Sequence, residues 1–375
     1  MTPQLRFPEF TDEWQVKKLG DLLKIGSGRD YKHLETGNIP VYGTGGLMLY
    51  VNDYLYDGKS IGIGRKGTID QPQLLTGKFW TVDTLFYTYD HTASAPEFLY
   101  AIFQKVNWQK WNEASGVPSL SKTTIENIKV AVPKELEQEK IAEFLAAVDE
   151  RIAAGEKKLE LLKKYKKGVM QKIFTQAIRF KDEEGNHYSE WEEKNIGDIM
   201  TERNTQAPKS SDYPLMAFVA YKGVAPKGDR YNREFLVGNS DGKKYKKTEY
   251  GDFIYSSNNL ETGSIGLNLY GSASISPVYS IFQISNSCDP KFLGSYMLRK
   301  RFVYEMTRYR QGVVYGQWRI HESDFLKIKE RIPSLEEQQK IATFLTALDT
   351  KIAAEQTRLT AAKQWKRGLL QRMFV

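Results

Sequence analysis

Basic side chains between glycines form the first candidate site. Gly64-Arg65-Lys66-Gly67 places two cations beside exposed backbone N–H groups, a combination that suits a phosphate but also an ordinary β-turn. The letters Gly62-x-Gly64-x-x-Gly67 also fit a dinucleotide-binding loop. Such a loop needs a helix directly after it, and Pro72 makes that helix improbable, so no cofactor site is predicted.

Polar loops supply further side chains that can hydrogen-bond to base edges, because Arg suits guanine while Asn and Gln suit adenine. The simpler interpretation, a solvated loop, stays open for each of them. In the first half of the chain the candidates are Tyr42, Thr44, Arg65, Lys66, Ser115, Ser119, Ser121 and Lys122. In the second half they are Ser257, Asn258, Asn259, Tyr309, Arg310, Gln311, Tyr315, Gln317 and Arg319.

Patterns typical of catalysis are missing. The sequence has no Walker A loop and no Asn-Pro-Pro-(Tyr/Phe) or Asp-Pro-Pro-Tyr motif of an amino-methyltransferase. The four histidines (His33, His91, His187 and His321) are scattered, without a zinc-binding spacing. A cluster of nuclease carboxylates is not excluded by spacing. We nevertheless expect no catalytic residue, no metal site and no cofactor bound by this chain.

Length and composition narrow the class of protein. A chain of 375 residues with 41% hydrophobic residues predicts two or three domains with real cores. We expect a cytoplasmic protein, because no apolar run is long enough for a membrane span, no secretory signal is visible, and Cys288 is the only cysteine. The net charge of +8 is compatible with nucleic acid as a partner.

An internal repeat organises the chain. Residues 133–174 match residues 333–374 without gaps, with 19 of 42 positions identical. A second match pairs 12–22 with 189–199, through Trp14/Trp191 and Gly20/Gly197, at a different offset. The chain is therefore two copies of one plan with different middles, which indicates two related tasks with different specificities.

The repeated segments predict two long helices. Apolar positions alternate steps of four and three from Ile141 and again from Ile341, a heptad seam over about 34 residues, or roughly 50 Å. Polar residues interrupt the seam at equivalent places in both copies. We predict an antiparallel pairing with Lys166 opposite Glu355, whose polar contact fixes the register. The other helix-pairing residues are then Ile152, Leu162, Leu359 and Leu369. Ordinary bundle or dimer helices remain the alternative.

Each middle reads as a small α+β domain. In the first, strands are expected within 39–46, 59–69 and 79–89, a helix at 95–111, and a closing strand at 125–133. In the second, strands are expected within 250–257, 264–276 and 277–285, one helix at 289–309, a loop at 310–319 and a closing strand at 324–333. The predicted segments are 1–136, 137–176, 177–336 and 337–375.

The order of these motifs resembles the specificity subunits of Type I restriction–modification enzymes. The resemblance covers nearly the whole chain and rests on the Trp-x4-Leu-Gly-Asp entry, the Glu-Gln-x-Lys-Ile-Ala-x-Phe-Leu helix present twice, and the loop 120–122. The second copy departs from the pattern at 316–319, where Gly-Gln-Trp-Arg stands instead. The resemblance implies an α+β fold, with two target-recognition domains separated by two antiparallel coiled-coil helices in a pseudo-twofold repeat.

The resemblance also implies a function. Each domain would read half of a split asymmetric site on double-stranded DNA, without catalysis by this chain. The helices would dock two modification subunits, which bind S-adenosylmethionine and methylate adenine at N6, and up to two restriction subunits, which use ATP and Mg²⁺. The predicted helix pairing spans roughly 39 Å, near one DNA turn. Arg6-Phe7 is expected to pack near the last turn of the second helix.

Three alternatives remain. The chain could be an adaptor of a related single-chain or phase-variable modification system, a coiled-coil protein-interaction scaffold without sequence-specific DNA binding, or an enzyme that cuts or methylates DNA by itself. A scaffold would lack DNA affinity that falls steeply with salt.

Overall fold

The computed structural model describes residues 2–226, 243–313 and 317–375. Contacts divide the chain into two compact units: unit 1 is Met1–Glu160 with Ala354–Val375, and unit 2 is Leu161–Ala353. Both divisions fall inside the two long helices, α4 (Glu135–Phe174) and α8 (Leu335–Met373). Each unit therefore combines one part of α4 with one part of α8.

Unit 1 is an α+β body with two four-stranded sheets, β2-β9-β6-β7 and β4-β3-β8-β5. A separate antiparallel pair, β1 with β10, connects the N-terminal segment to the strand before α4. Before α4, its elements are β1 (Gln15–Lys18), α1 (Leu19–Leu22), β2 (Lys24–Ser27), β3 (Thr36–Gly43), β4 (Gly46–Val51), β5 (Tyr56–Asp57), β6 (Ser60–Gly64), β7 (Gln73–Leu75), β8 (Lys78–Thr81), β9 (Leu85–Tyr89), α2 (Pro96–Lys105), α3 (Lys122–Glu126) and β10 (Lys129–Val132).

Unit 2 repeats the plan with a longer middle. Its four-stranded sheet is β12-β20-β17-β18, and β11 pairs with β23 as β1 does with β10. Between α4 and α8, its elements are β11 (Glu192–Asn195), β12 (Met200–Glu202), β13 (Gln206–Ala207), β14 (Ala217–Val219), β15 (Gly223–Ala225), β16 (Tyr245–Thr248), β17 (Phe253–Tyr255), β18 (Ile265–Leu267), β19 (Ala273–Ile275), β20 (Ser280–Ile284), α5 (Pro290–Met297), α6 (Lys300–Thr307), β21 (Gln311–Val313), β22 (Gln317–Arg319), α7 (Glu322–Phe325) and β23 (Lys329–Ile332).

Several predicted elements differ from the structure: the helix expected at 95–111 ends at Lys105, and the loop expected at 310–319 contains the hairpin β21–β22. The single helix expected at 289–309 is broken into α5 and α6 around Leu298 and Arg299, where Arg299 takes an extended N-cap conformation and its guanidinium stacks on Tyr296. The strand expected at 125–133 begins only at Lys129, because Ser121 caps the short helix α3 before it. In unit 2, the strand expected at 324–333 likewise begins only at Lys329, because the short helix α7 precedes it.

The core of each unit is closed by both long helices. In unit 1, Ile141 and Leu145 of α4 pack with Phe374, beyond the end of α8, against Trp14 and Phe98. In unit 2, the equivalent packing uses the end of α4 and the start of α8. Phe174 packs there among Trp191, Phe292 and Ile341. Burial of the apolar seam stabilises each unit, because it removes the face of both helices from water.

The N-terminal segment meets the end of α8, as predicted for Arg6-Phe7. The backbone N–H of Leu5 donates to the carbonyl of Arg372 at 2.8 Å. In unit 2 the N–H of Ile178 donates to the carbonyl of Lys172 at 3.2 Å. The two bonds occupy equivalent positions of the repeat.

The predicted register of the helix pair is wrong. Lys166 does not hold Glu355; its ammonium lies 2.5 Å from a carboxylate oxygen of Asp349. Lys366 makes the equivalent contact with Asp149, also at 2.5 Å. The sequence argument failed because a seam with a period of seven residues is compatible with registers one heptad apart, and Gly155 packs against Leu359 in a register shifted by about one heptad. The antiparallel sense of the helices is confirmed.

Glu355 has other partners, and they lie within unit 1. Its carboxylate binds Lys158 at 2.9 Å and Arg358 at 2.8 Å, two cations that are equivalent in the repeat. Leu359 approaches Gly155, where an added Cβ would lie 3.5 Å from Leu359 and 3.6 Å from Glu355. Gly155 and Glu355 are equivalent residues of the two copies. The structure therefore brings two equivalent positions of the repeat into contact.

Candidate nucleic-acid interface

Unit 1 gathers five of the predicted residues around one open pocket of about 740 Å³. They are Arg65, Lys66, Ser119, Ser121 and Lys122. The turn after β6 is held against the segment before α3: the N–H of Leu120 donates to the carbonyl of Arg65 at 2.9 Å, and Lys66 forms a β-bridge with Ser119. Two sequence segments more than 50 residues apart thus form one basic surface.

An aromatic ring lies between two of these cations. The guanidinium carbon of Arg65 is 5.9 Å from the ring centre of Phe86, and the ammonium of Lys122 is 6.0 Å from it. Both distances are within the range of cation–π attraction. In the described part of the chain, Arg65, Lys66 and Lys122 have no carboxylate within salt-bridge distance, so their charges are available to an anion.

The glycines of this turn serve the backbone rather than a dinucleotide. Gly67 has a φ of +95°, which favours glycine, and a Cβ on Gly64 would lie 2.0 Å from the carbonyl oxygen of Thr68. The next element along the chain is the strand β7, not a helix. The arrangement lacks the helix N-terminus that a dinucleotide pyrophosphate requires.

Ser121 has a local structural task. Its hydroxyl accepts the N–H of Thr124 at 3.1 Å, as an N-cap of α3, and donates to Glu113 at 2.8 Å. Hydrogen bonds from Thr124 and Ser121 hold the pKa of the Glu113 carboxyl below its usual value. Glu113 therefore remains ionised beside the cations and orders the loop that carries them.

Three predicted residues of unit 1 lie elsewhere. Tyr42 is half-buried on β3, in the other sheet, where it packs in a core with Val41 and Trp80. Thr44 follows that strand in the turn to β4, and Ser115 is exposed outside the lining of the pocket. The structure does not bring them to the basic surface.

In unit 2, two predicted residues anchor the hairpin β21–β22. Ser257 accepts the N–H of Ile320 at 3.0 Å, and Asn258 accepts the N–H of Trp318 at 2.5 Å. Both follow β17, as Arg65 follows β6, so they occupy the same place in the framework. Their side chains accept hydrogen bonds from the backbone of the hairpin. Their role is therefore to position the hairpin, and the hairpin supplies the exposed side chains.

Arg310 is held by an acid that sequence reasoning missed. Its guanidinium makes two parallel bonds to Glu261, at 2.6 and 2.7 Å, and its side chain is only 10% exposed. These bonds lower the pKa of the Glu261 carboxyl. Arg310 therefore fixes the base of the hairpin, and it is not free to read a base in this arrangement.

The remaining predicted residues of unit 2 surround the hairpin. Gln311 and Gln317 are exposed on its two strands, and Arg319 lies 3.6 Å from Glu322. Tyr309 is partly buried against the core, while Asn259 serves the turn after β17 through its backbone. Tyr315 lies outside the described residues.

Other residues of both surfaces were not predicted. Phe86 in unit 1 and Glu261 in unit 2 act through partners distant in sequence, and Glu113 acts through Ser121, eight positions away in an irregular loop. None of the three carries a periodic signal. Trp318 stands in the predicted loop and is 49% exposed on the hairpin, so its position beside Gln317 was a usable signal. An exposed aromatic beside polar side chains suits stacking on nucleic-acid bases.

Metal-binding clusters and membrane-spanning helices are absent from the described residues. No group of three or more His, Cys, Asp or Glu side chains is arranged to hold a metal ion. No helix in the described ranges is long and apolar enough to cross a membrane.

Comparisons with known proteins agree on one family. The sequence model of the "Type I restriction modification DNA specificity domain" matches residues 11–164 and 188–364. The MjaVIII specificity subunit of Methanocaldococcus jannaschii is 24% identical over 93% of this chain and 88% of its own. The EcoDI specificity subunit of Escherichia coli is 26% identical over 49% of this chain and 40% of its own.

A solved structure supports the fold. The S subunit of the Type I restriction–modification system from M. genitalium superimposes with a TM-score of 0.65, at 15% identity, over 100% of this chain and 99% of that chain. Its agreement extends over both α+β units and both long helices. The matched family model covers most of the sequence of each unit, and the chain therefore belongs to the Type I restriction–modification DNA specificity family, as a specificity subunit.

Proposed function

We propose that this specificity subunit reads a split, asymmetric sequence on double-stranded DNA, one half with each unit. Unit 1 reads through the basic pocket around Arg65, and unit 2 through the hairpin β21–β22. One observation carries the proposal: both units fasten the turn after a central strand to the segment before α3 or α7, through Leu120 and Arg65 or through Ile320 and Ser257. The same framework thus presents different side chains, as two different half-sites require.

The long helices are the proposed docking surface for two modification subunits. Tyr165 and Trp365, equivalent in the repeat, are each 54% exposed on α4 and α8. Exposed aromatic side chains are common centres of protein interfaces. In this proposal the modification subunits bind S-adenosylmethionine and methylate adenine at N6. Up to two restriction subunits join and use ATP and Mg²⁺, all in the cytoplasm.

This chain itself is proposed to catalyse nothing and to bind no cofactor. The purified chain should then show no turnover with Mg²⁺ or S-adenosylmethionine. Its contribution is recognition: basic groups hold phosphates and make binding sensitive to salt, while side chains at the pocket and hairpin select bases.

The test is to express the chain with the modification subunit of its own operon and to map N6-methyladenine on host DNA by long-read sequencing. We expect a motif with two specific halves and a gap of fixed length. Replacing residues 22–132 with the corresponding middle of another specificity subunit should change one half and leave the other and the gap unchanged.

Two results would contradict the proposal. A complex that assembles but adds no methylation would favour a protein-interaction scaffold, a function the family assignment does not favour. A continuous motif that changes throughout after the replacement of 22–132 would mean that the two units do not read separate halves.

A further inference from the structure

A second basic pocket lies in unit 2, on elements that the proposed reading surface does not use. It has a volume of about 960 Å³ and is formed by the last turns of α4, the start of α6, and the strands β11 and β23. Eight lysine and arginine side chains line it, against two carboxylates, those of Glu193 and Glu330.

Both carboxylates are already neutralised. Glu193 binds Lys329 at 3.1 Å, and Glu330 binds Arg299 at 2.9 Å. Lys166, on the α4 wall, is taken by Asp349. Within the part of the chain that the structure describes, the other five cations have no acidic partner: Lys163, Lys167, Lys300, Arg301 and Arg331. All five side chains belong to exposed residues, so the surplus positive charge faces solvent.

The aromatic side chains of this pocket are largely withdrawn from solvent, whereas five of its cations belong to exposed residues. Its aromatic rings, from Phe174, Trp191 and Tyr296, are 8%, 5% and 2% exposed. Arg299 covers the ring of Tyr296 from 3.3 Å. A chain of phosphates can contact these cations in succession, and its charge would make binding depend on salt.

Helix α6 connects this pocket with the hairpin. Arg301 and Tyr304 lie three positions apart on α6, and Arg308, the C-cap residue, follows four positions later on the same face. Arg308 is paired with Glu305 at 3.1 Å, so Arg301 is the unpaired cation among these three residues. All three are exposed, Tyr304 by 69%. The face runs about 10 Å from the pocket toward β21, which is near three base pairs of rise.

Unit 1 carries uncharged residues at three of the five equivalent places. When Phe98-Leu99 is matched to Phe292-Leu293, positions 300 and 301 correspond to Val106 and Asn107. At the offset of the long repeat, Arg331 corresponds to Ala131. Lys163 and Lys167 have basic equivalents on α8, so the charge that is particular to unit 2 comes from α6 and β23.

We propose that this pocket and the exposed face of α6 bind the phosphodiester backbone of DNA that continues from the half-site of unit 2. The inference rests on the proposed function and adds a contact that holds DNA without reading sequence. In unit 2, Arg310 is bound to Glu261 and is not available to a base. A contact with phosphates would add affinity to this half of the site without reading bases.

The test variant replaces three cations with their unit 1 equivalents: Lys300→Val, Arg301→Asn and Arg331→Ala. A charge-retaining control exchanges the same residues (Lys300→Arg, Arg301→Lys, Arg331→Lys). A second control removes three exposed cations of unit 2 that lie outside both long helices, by Lys181→Gln, Lys222→Gln and Lys291→Gln. Each is assembled with the modification subunit and titrated with a duplex that carries the methylated motif and with a scrambled duplex, from 50 to 200 mM salt.

We expect the variant to lower the salt slope of binding by nearly three, so that it loses about 40-fold less affinity than the wild type across this range. The loss at low salt should be equal on both duplexes, the methylated motif should stay the same, and both controls should keep the wild-type slope. Ethylation of phosphates outside the unit 2 half should hinder the wild type and not the variant.

Other outcomes would overturn the inference. An unchanged slope, with or without weaker assembly of the modification subunit, would show that the pocket does not bind DNA. A changed motif would show that it reads bases. Loss of the split motif in the wild type itself would be a failure of the proposed function, which the methylation map detects separately.

Discussion

The guanidinium of Arg6 donates to both carboxylate oxygens of Glu137, at 2.7 and 2.8 Å, although the two residues are 131 positions apart. Glu137 stands in the first turn of α4 and is almost fully buried. Arg179 makes the same pair of contacts with Glu337 in unit 2, at 3.5 and 3.1 Å. The Glu of the repeated Glu-Gln motif therefore fastens the entry segment of each unit to a long helix.

Substitution Glu137→Ala should destabilise the protein by about 3 kcal/mol, because it leaves the Arg6 guanidinium half-buried without its partner. Arg6→Ala should cost a similar amount, and the double variant little more than either, since the two residues act as one unit. Urea unfolding of the four proteins measures this coupling. Additive losses would show that Arg6 and Glu137 contribute independently.

The position shared by Gly155 and Glu355 should tolerate only one carboxylate. Gly155→Ala should stabilise the protein by about 0.5 to 1 kcal/mol, because the new Cβ makes ordinary contacts and alanine favours the helix. Gly155→Glu should instead lower the melting temperature by placing like charges together. The exchange Gly155→Glu with Glu355→Gly should restore it. A Gly155→Glu protein as stable as the alanine variant would contradict this arrangement.

The His91 side chain should make stability depend on pH. Burial lowers the pKa of this imidazole below its ordinary 6.5, although Glu97 and Asp90 act in the opposite direction. As pH falls through 6.5, the unfolded chain takes up a proton that the folded chain does not, so the free energy of unfolding decreases. His91→Gln should reduce that decrease between pH 7.5 and 5.5 in urea titrations. An identical pH profile in the variant would show that His91 has the same pKa folded and unfolded.

Arg65→Ala should weaken recognition in unit 1 only. Loss of a free cation at the pocket should lower the methylation rate at limiting enzyme about tenfold or more. If Arg65 contacts a base, the variant should also accept other bases at one position of the motif. The position should fall in the half that changes when residues 22–132 are replaced. Unfolding in urea should be unaffected, which separates lost recognition from lost structure. Unchanged methylation would remove Arg65 from the interface.

Arg310 in unit 2 should behave differently, because Glu261 holds it. Arg310→Ala and Glu261→Ala should lower methylation to the same extent, and the double variant should be no worse, since each change releases the same hairpin. Methylation rates of the three complexes provide the comparison. A much larger loss for Arg310→Ala than for Glu261→Ala would mean that Arg310 itself contacts DNA.

The parts of the fold that repeat or alternate with a fixed period could be predicted from the sequence. The heptad seam located both helices, and the seam positions Ile141 and Ile341 are buried as expected. The register could not be predicted, because a heptad seam allows registers that differ by seven residues, and the contacts of Lys166 and Lys366 became clear only in the structure. The break between α5 and α6 was missed because Arg299 is stacked on Tyr296, a contact that hydrophobic spacing does not encode.

The candidate site was predictable by residue type but not by role. Arg65, Lys66 and Lys122 were nominated for their charge, and the structure gathers them at one pocket. Arg310 was nominated on the same ground, yet it is paired with Glu261, 49 positions away. A polar loop residue can therefore be found from sequence, whereas its freedom to bind depends on partners that only folding brings near.

The division of both long helices between the units has a consequence for ancestry. Residues 354–375, which complete unit 1, match residues 154–175 of α4, which mostly belong to unit 2. A primordial chain ending near Phe174 would hold one α+β body and one long helix, and two copies would complete each other by exchanging helix ends. The present chain has the composition of such an exchanged dimer joined into one polypeptide. Two identical halves would read a symmetric sequence, whereas halves joined in one polypeptide can differ and read an asymmetric one.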